Sequence, residues 1–176
     1  MAQKVIENTV TAYLGHEDSP DISNPIHSTE VAKAYGFPGA LVGGVTVWGW
    51  ATDTILEAIG EEWLKVGWAE YSFRQPTIPG DQLTIRATEE NTANSWSVEM
   101  INEEEVVCVV GKVGLGKADW SSEFVRSTSL TPTEEGQKKK SLTLETAEIG
   151  VDWASKKADF TVEAATEFTS EKQRTN

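Results

Sequence analysis

The stretch VTVWGWATDTILEAI, residues 45–59, decides the fold because it carries the strongest helical pattern in the chain. Apolar residues continue around most sides of the predicted helix, which indicates that other structure surrounds it. We therefore predict one long, buried helix that ends at Gly60. Four apolar side chains follow one another at spacings of three and four residues and so share one helix face: Trp48, Ala51, Ile55 and Ile59.

The segments that follow this helix change to the period of two that β-strands show. A short helix over residues 28–36, ended by Gly36, precedes the long helix. Residues 1–15 fit either an edge strand or a short amphipathic helix. An antiparallel sheet curled around one apolar helix buries that helix economically, so we predict an α+β fold. Four predicted strands are separated by turn-like stretches: residues 66–76, 82–90, 95–102 and 105–116.

The character of the chain changes near residue 119. Residues 121–141 are rich in serine, threonine and charge, whereas residues 141–164 regain some alternation and a tryptophan. We predict a folded domain over residues 1–118 and a C-terminal extension over residues 119–176. The extension is expected to be partly ordered, with a disordered tail.

Charge and composition exclude several classes of function. The net charge of −13 disfavours nucleic-acid and anionic-lipid partners. The single cysteine, Cys108, lies in VVCVV and is read as a small buried hydrophobe, so neither an internal disulfide nor a cysteine metal cage is predicted. No run approaches the about 18 apolar residues of a membrane span, and the N-terminus lacks the apolar core of a signal peptide. We predict a cytoplasmic enzyme or binding protein.

The loop DISNPIH, residues 21–27, holds His27, one of only two histidines in the chain. From the residues alone, His27 is either a catalytic base or a polar residue beside a helix. Asn24 before Pro25 is most simply a turn former. Seven tryptophans is a high number for this length, and Trp48 and Trp50 follow a pair of glycines. These two side chains either pack in the core or form a flat aromatic wall for a bulky substrate.

Taken together, residues 21–50 resemble the signature of the MaoC-like hydratase/dehydratase family, which has the hot-dog fold of (R)-specific enoyl-CoA hydratases. The resemblance covers residues 5–118 and implies a sheet wrapped around a long central helix. It rests on an ordered set of residues rather than on one tripeptide. The matching residues are Asn24, Pro25, His27, Ala32, Phe37, Pro38 and Gly44, followed by Pro79, Gly80 and Asp81.

The resemblance implies syn addition of water to a trans-2-enoyl thioester of CoA or a carrier protein, or the reverse dehydration, without a metal or cofactor. A histidine whose pKa is near neutrality can take and return a proton. A backbone N–H at a helix start can stabilise an enolate oxygen. The implied catalytic residues are His27, Asp21 and Asn24. The implied donor to the thioester oxygen is the N–H at Gly44. From the sequence itself we add Gly43, Trp48 and Ser23 as candidate substrate-binding residues.

Two positions depart from the family pattern. The family's acid falls on Ile22, so the nearest acid, Asp21, lies one residue further from His27. Gly43 stands where the family usually has a histidine. A displacement of about 1 Å can cost about 100-fold in rate. Two alternatives therefore remain open: altered chemistry on a bulky or cyclic specialised substrate, and a non-catalytic partner subunit. The resemblance also implies a homodimer or a higher oligomer.

Overall fold

A computed structural model describes residues 3–15, 24–91, 94–123, 143, 145 and 161–171. One five-stranded sheet forms its centre, and every pair of neighbouring strands is antiparallel. The order across the sheet is β1-β3-β4-β5-β2, so the first two strands of the chain lie at opposite edges. The strands are β1 Val5–Thr11, β2 Gly67–Phe73, β3 Gln82–Glu89, β4 Ser95–Ile101 and β5 Val107–Leu115.

Short helices connect and cover the sheet. Two 3-10 segments, Pro25–His27 and Asp119–Ser122, accompany them. Within the described residues no helix is both long and apolar enough to cross a bilayer. The α-helices are α1 Thr29–Ala34, α2 Gly44–Gly49, α3 Thr52–Ile59, α4 Trp63–Val66 and α5 Val162–Glu171.

The four strands predicted from apolar alternation are confirmed, and residues 1–15 supply a fifth strand rather than a helix. In β3, Leu83, Ile85 and Ala87 are buried while the residues between them are less so, as the period of two predicts. The predicted boundary of the C-terminal extension remains a prediction. Most of residues 119–176 lie outside the described residues, apart from the segment Asp119–Ser122 and α5.

The single helix predicted over residues 45–59 is observed as two helices, α2 and α3, separated by Trp50 and Ala51. The backbone of both residues stays in the right-handed helical region, but the Ala51 amide bonds to the Trp48 carbonyl, three residues back, at 2.9 Å. This tighter turn of 3-10 type follows Gly49, a poor helix former. The apolar pattern runs on through the junction and therefore did not reveal it.

The hydrophobic core lies between α2, α3 and one face of the sheet. Ile55 of α3 is fully buried against the same cluster as Ile85 of β3, Val98 of β4 and Val109 of β5. Burying one such side chain stabilises the fold by about 1.5–3 kcal/mol. The core thus fixes α2 and α3 against the sheet, and α3 also reaches β1 through the hydrogen bond from Asn8 Nδ2 to Thr54 Oγ1 at 3.2 Å.

The segment just before α2 is tied to two other parts of the chain. The Leu41 amide donates to the carbonyl of Ile26 at 3.1 Å, and the Val42 amide donates to the carbonyl of Thr77 at 2.9 Å. The first of these partners lies in the 3-10 segment that contains His27, and the second follows β2. These two bonds bring His27, the start of α2 and the end of β2 to one place.

Candidate active site

His27 ends a one-turn 3-10 helix whose start is closed by Asn24. The Oδ1 atom of Asn24 accepts a hydrogen bond from the Ile26 amide at 3.3 Å, and its carbonyl accepts one from the His27 amide at 3.1 Å. Pro25 suits the first helical position because it has no N–H to satisfy. Asn24 therefore caps this short helix and fixes the position of the His27 backbone.

The imidazole of His27 is oriented by the backbone of the segment before α2. Its Nδ1 atom lies 2.5 Å from the carbonyl oxygen of Leu41. A carbonyl oxygen only accepts hydrogen bonds, so in the neutral ring Nδ1 carries the proton and Nε2 keeps its lone pair. A histidine held in this tautomer presents Nε2 as a proton acceptor.

The Nε2 edge of the His27 ring faces Gly43. A Cβ atom placed on Gly43 would lie 3.6 Å from His27 Cε1 and 3.9 Å from Nε2. Those are ordinary contact distances, so Gly43 lies directly beside the Cε1–Nε2 edge of the His27 ring.

Gly44 begins α2, and the ring of Phe73 lies directly against it. A Cβ atom on Gly44 would be 2.7 Å from Phe73 Cζ, so a side chain at this position would displace the ring. The amide of the first helical residue has no acceptor within its own helix, which leaves the Gly44 N–H available as a donor. An open cleft of about 290 Å³ adjoins this point and is lined by Leu41, Gly44, Phe73 and Arg74, among others.

Trp48 and Trp50 point to different parts of the molecule. The indole of Trp48 stacks on the ring of Tyr71, with centroids 4.1 Å apart and an angle of 11° between the planes. Trp50 is buried in the core and contacts Tyr13 at a centroid distance of 5.7 Å. An aromatic wall made of both tryptophans is therefore not formed, because Trp50 packs in the core instead.

The structure brings together three of the predicted site residues, His27, Gly43 and Gly44, with Trp48 one turn further along α2. Asp21 and Ser23 lie outside the described residues. Among the described residues, no group of three or more His, Cys, Asp or Glu side chains is arranged to hold a metal ion.

Sequence reasoning missed three residues of the site: Leu41, Tyr71 and Phe73. Leu41 acts through its carbonyl group, which no side-chain pattern reports. Tyr71 and Phe73 lie two positions apart in β2 and so share one face of the strand, a spacing that marks no site by itself. The glycine pair Gly43–Gly44 was the available signal, because glycine in front of a helix marks a close approach by another group.

Comparisons with known proteins identify the fold. No protein-family model and no curated protein matches the chain. The MaoC-like dehydratase of Phytophthora capsici is similar in structure with a TM-score of 0.52 and 19% identity, over 66% of this chain and 41% of that one. The (R)-hydratase of A. caviae involved in PHA biosynthesis has a TM-score of 0.43 and 15% identity, over 65% and 96% of the two chains. An R-hydratase of Pseudomonas aeruginosa has a TM-score of 0.46 and 15% identity, over 77% and 93%.

The chain therefore has an α+β hot-dog fold. The similarity to the Phytophthora capsici dehydratase agrees with the five-stranded antiparallel sheet and its short helices. Fold alone does not assign an activity, so the argument for function rests on the side chains at the site.

Proposed function

We propose that the chain is a hydro-lyase of the MaoC-like hydratase/dehydratase type, acting on a 2-enoyl or 3-hydroxyacyl thioester. The observation that carries this proposal is the orientation of His27. Its Nδ1–H is directed at the Leu41 carbonyl, and its Cε1–Nε2 edge lies beside Gly43, the residue before α2. A base beside Gly43 and a backbone donor at the next residue, Gly44, are the two groups that the reaction requires.

In the hydration direction, Nε2 of His27 takes a proton from water as the water oxygen bonds to C3 of the enoyl group. The C2–C3 π electrons move toward the carbonyl, and the enolate oxygen accepts a hydrogen bond from the Gly44 N–H. Nε2–H then returns the proton to C2. One base serving one face gives net syn addition of water, and dehydration is the same path reversed.

The other site residues have supporting roles in this proposal. Asn24 positions His27 through the turn that it caps, and Gly43 lies beside the Cε1–Nε2 edge of the His27 ring. Asp21 is proposed to hold the water with His27, and Ser23 to contact the substrate. Trp48 contributes to the wall of the site. The guanidinium of Arg74 lines the cleft and supplies a cation for the anionic part of a CoA or a carrier-linked phosphate.

The test is a spectrophotometric assay of the purified chain with crotonyl-CoA and with a longer trans-2-enoyl-CoA. His27→Ala is expected to lower kcat by about 100-fold or more, the usual contribution of a general acid–base group. His16→Ala, which removes the other histidine, is the matched control and keeps the wild-type rate. Circular dichroism of each variant confirms that the fold is intact.

Turnover that is unchanged in His27→Ala contradicts the assignment of His27 as the base. A wild-type chain that turns over neither thioester contradicts the hydro-lyase proposal itself. That second result favours the two alternatives, altered chemistry on a bulky or cyclic specialised substrate and a non-catalytic partner subunit of another chain.

We also propose that two copies of the chain pair through β2. This strand has β5 on one side and lies at the sheet edge, where its outer backbone groups remain open to pairing. Two large apolar side chains near this edge are about half exposed, at Leu64 and Val66. Sedimentation equilibrium is expected to show a dimer, and Leu64→Glu/Val66→Glu to weaken it. A monomeric wild-type chain contradicts the pairing.

A further inference from the structure

Three aromatic side chains form a continuous cluster beside the proposed reaction centre. Trp48 stacks on Tyr71 at 4.1 Å, and Tyr71 meets Phe73 edge to face, with centroids 5.5 Å apart and an interplanar angle of 82°. Phe73 in turn lies against Gly44. We call Trp48, Tyr71 and Phe73 the aromatic cluster. It extends from α2 across β2 to the backbone amide that would bind the thioester oxygen.

Two glycines, Gly44 in α2 and Gly111 in β5, leave room for these rings. Gly44 makes space for Phe73, as described above. Gly111 pairs with Tyr71 across the β2–β5 ladder, and a Cβ atom there would lie 2.9 Å from Tyr71 Cβ and 3.3 Å from Trp48 Cη2. Two glycines from separate elements thus accommodate one cluster, which is a specific arrangement rather than scattered surface rings.

The aromatic cluster is not closed over by the described chain. Tyr71 is 38% exposed and Phe73 is 48% exposed. Phe73 also lines the cleft of about 290 Å³ at Gly44, which is at the lower end of the volumes of ligand sites, about 300–1,000 Å³. Phe73 is therefore accessible to a group bound in this cleft.

We infer that the aromatic cluster selects an acyl group that carries an aromatic ring near C3, in preference to a straight-chain acyl group. This inference rests on the proposed function and names its substrate class. A ring that stacks on, or meets the edge of, Tyr71 or Phe73 gains a favourable interaction between the two rings beyond the burial of its area, whereas an alkyl chain gains burial alone. The expected preference is therefore about threefold to tenfold.

The test measures binding without turnover, so that it is independent of catalysis. Isothermal titration calorimetry of His27→Ala compares 3-phenylpropanoyl-CoA with nonanoyl-CoA, which has the same number of acyl carbons and no ring. Both thioesters are saturated and cannot be hydrated. The phenyl thioester is expected to bind about threefold to tenfold more tightly.

Variants assign this preference to the cluster. Tyr71→Leu and Phe73→Leu, each made in the His27→Ala chain, are expected to bring the two dissociation constants within about twofold of each other. Tyr35→Leu is the matched control, because Tyr35 directly follows α1, is 75% exposed and lies outside the aromatic cluster. It is expected to leave the preference as it was. Sedimentation of every variant is measured in parallel.

The outcomes separate the inference from the proposed function. Equal binding of the two thioesters, or a preference that survives both cluster variants, overturns the inference, even if enoyl-CoA hydration by the wild-type chain proceeds. Cluster variants that become monomeric while keeping the preference show instead that the rings serve the subunit contact, and this also overturns it. If neither thioester binds, the inference and the proposed function fail together.

A second readout uses the reaction itself. The wild-type chain is expected to dehydrate 3-hydroxy-3-phenylpropanoyl-CoA with a higher kcat/KM than a 3-hydroxyacyl-CoA with a straight chain. In Phe73→Leu this ratio is expected to fall by about threefold to tenfold. A ratio that stays the same counts against the inference.

Discussion

The Nδ1 atom of His27 and the carbonyl oxygen of Leu41 lie 2.5 Å apart, although fourteen residues separate the two in sequence. This contact decides which ring nitrogen carries the proton. Because the acceptor is a backbone carbonyl, no side-chain substitution at residue 41 removes it, and the tautomer is a property of how the chain enters α2.

The tautomer of His27 is directly measurable. Long-range ¹H–¹⁵N correlation spectra of the neutral ring are expected to show His27 with a protonated Nδ1 and an unprotonated Nε2. The chain has only two histidines, so spectra of His16→Gln and His27→Gln assign the signals. A protonated Nε2 in the neutral ring would show that the contact with Leu41 is not formed.

Neighbouring atoms lie so close to Gly111 that any side chain there is expected to lower the stability of the fold. In Gly111→Ala the new Cβ would lie 2.9 Å from the backbone oxygen of Glu70 and from Tyr71 Cβ, so the two strands must shift. We expect a loss of about 1–3 kcal/mol in the free energy of unfolding, the usual cost of overpacking. Urea denaturation measures it, and tryptophan fluorescence reports the displacement of Trp48 from Tyr71.

Gly39→Ala is the matched control, because a Cβ atom there would meet nothing within 4 Å. Its effect on stability is expected to be within about 0.5 kcal/mol, as for surface substitutions in general. If the two alanine variants unfold at the same urea concentration, the close approach at Gly111 is not supported.

The ionisation of Glu90 is expected to make the stability of the fold depend on pH. Ser95 Oγ donates to Glu90 Oε2 at 2.8 Å, and Lys112 Nζ lies 3.0 Å from Oε1. The hydrogen bond from Ser95, followed by the contacts with Lys112, lowers the pKa of Glu90 in the folded chain, against an opposing effect of burial. A lowered pKa in the folded state stabilises the fold at pH values above the unfolded-state pKa of about 4.3. This stabilisation is lost as the pH falls through the pKa of the folded state.

Ser95→Ala is therefore expected to destabilise the chain by about 1.5 kcal/mol at neutral pH, the lower end for a hydrogen bond to a charged group. The difference from wild type should shrink as the pH falls below about 4. Ser97→Ala, on the same strand, removes a bond from Ser97 Oγ to the neutral Thr88 carbonyl and serves as the control. If Ser95→Ala lowers the free energy of unfolding as much at pH 3 as at neutral pH, the partner of Ser95 is not the charged form of Glu90.

Cys108 is expected to be unreactive in the folded chain. The side chain is fully buried in β5, and burial, with a smaller contribution from the charge of Asp81, raises the pKa of its thiol. The reactive thiolate is therefore scarce and inaccessible at neutral pH. Reaction with a chromogenic disulfide reagent should be very slow in buffer and complete in urea.

The chain offers a positive control for this measurement. Cys108→Ser/Ser72→Cys moves the single thiol to the exposed edge strand β2, where labelling is expected at the rate of a free thiol. Equal labelling rates in the two proteins without urea would mean that Cys108 is not enclosed as described.

The sequence predicts the strands of this fold better than its helices. Alternation in β3 and β4 reflects one buried face, and that pattern survives folding unchanged. The break at Trp50–Ala51 left no trace in the pattern, since both residues are apolar and buried whichever hydrogen bonds their amides make. Apolar periodicity reports the face of a helix and not its continuity.

For the site, the resemblance gave His27 and the glycines, while the structure added the residues around them. Tyr71 and Phe73 read as inward-facing in β2, and only the strand order shows that β2 is an edge strand where such rings stay exposed. The contacts of Trp48 with Tyr71 and of Gly44 with Phe73 join residues more than twenty positions apart. No local pattern encodes such a pairing.

The order of strands in the sheet also has a consequence for how the chain folds. The β3–β4 and β4–β5 pairs join neighbouring segments, whereas β1 pairs with β3 in a register that sets Val5 opposite Thr88. During synthesis the first strand has no partner until β3 has been made. Local hairpins close quickly and distant pairings slowly. We therefore expect β3, β4 and β5 to form the early nucleus and β1 to join late, which makes the N-terminal edge the last part of the sheet to acquire protection from hydrogen exchange.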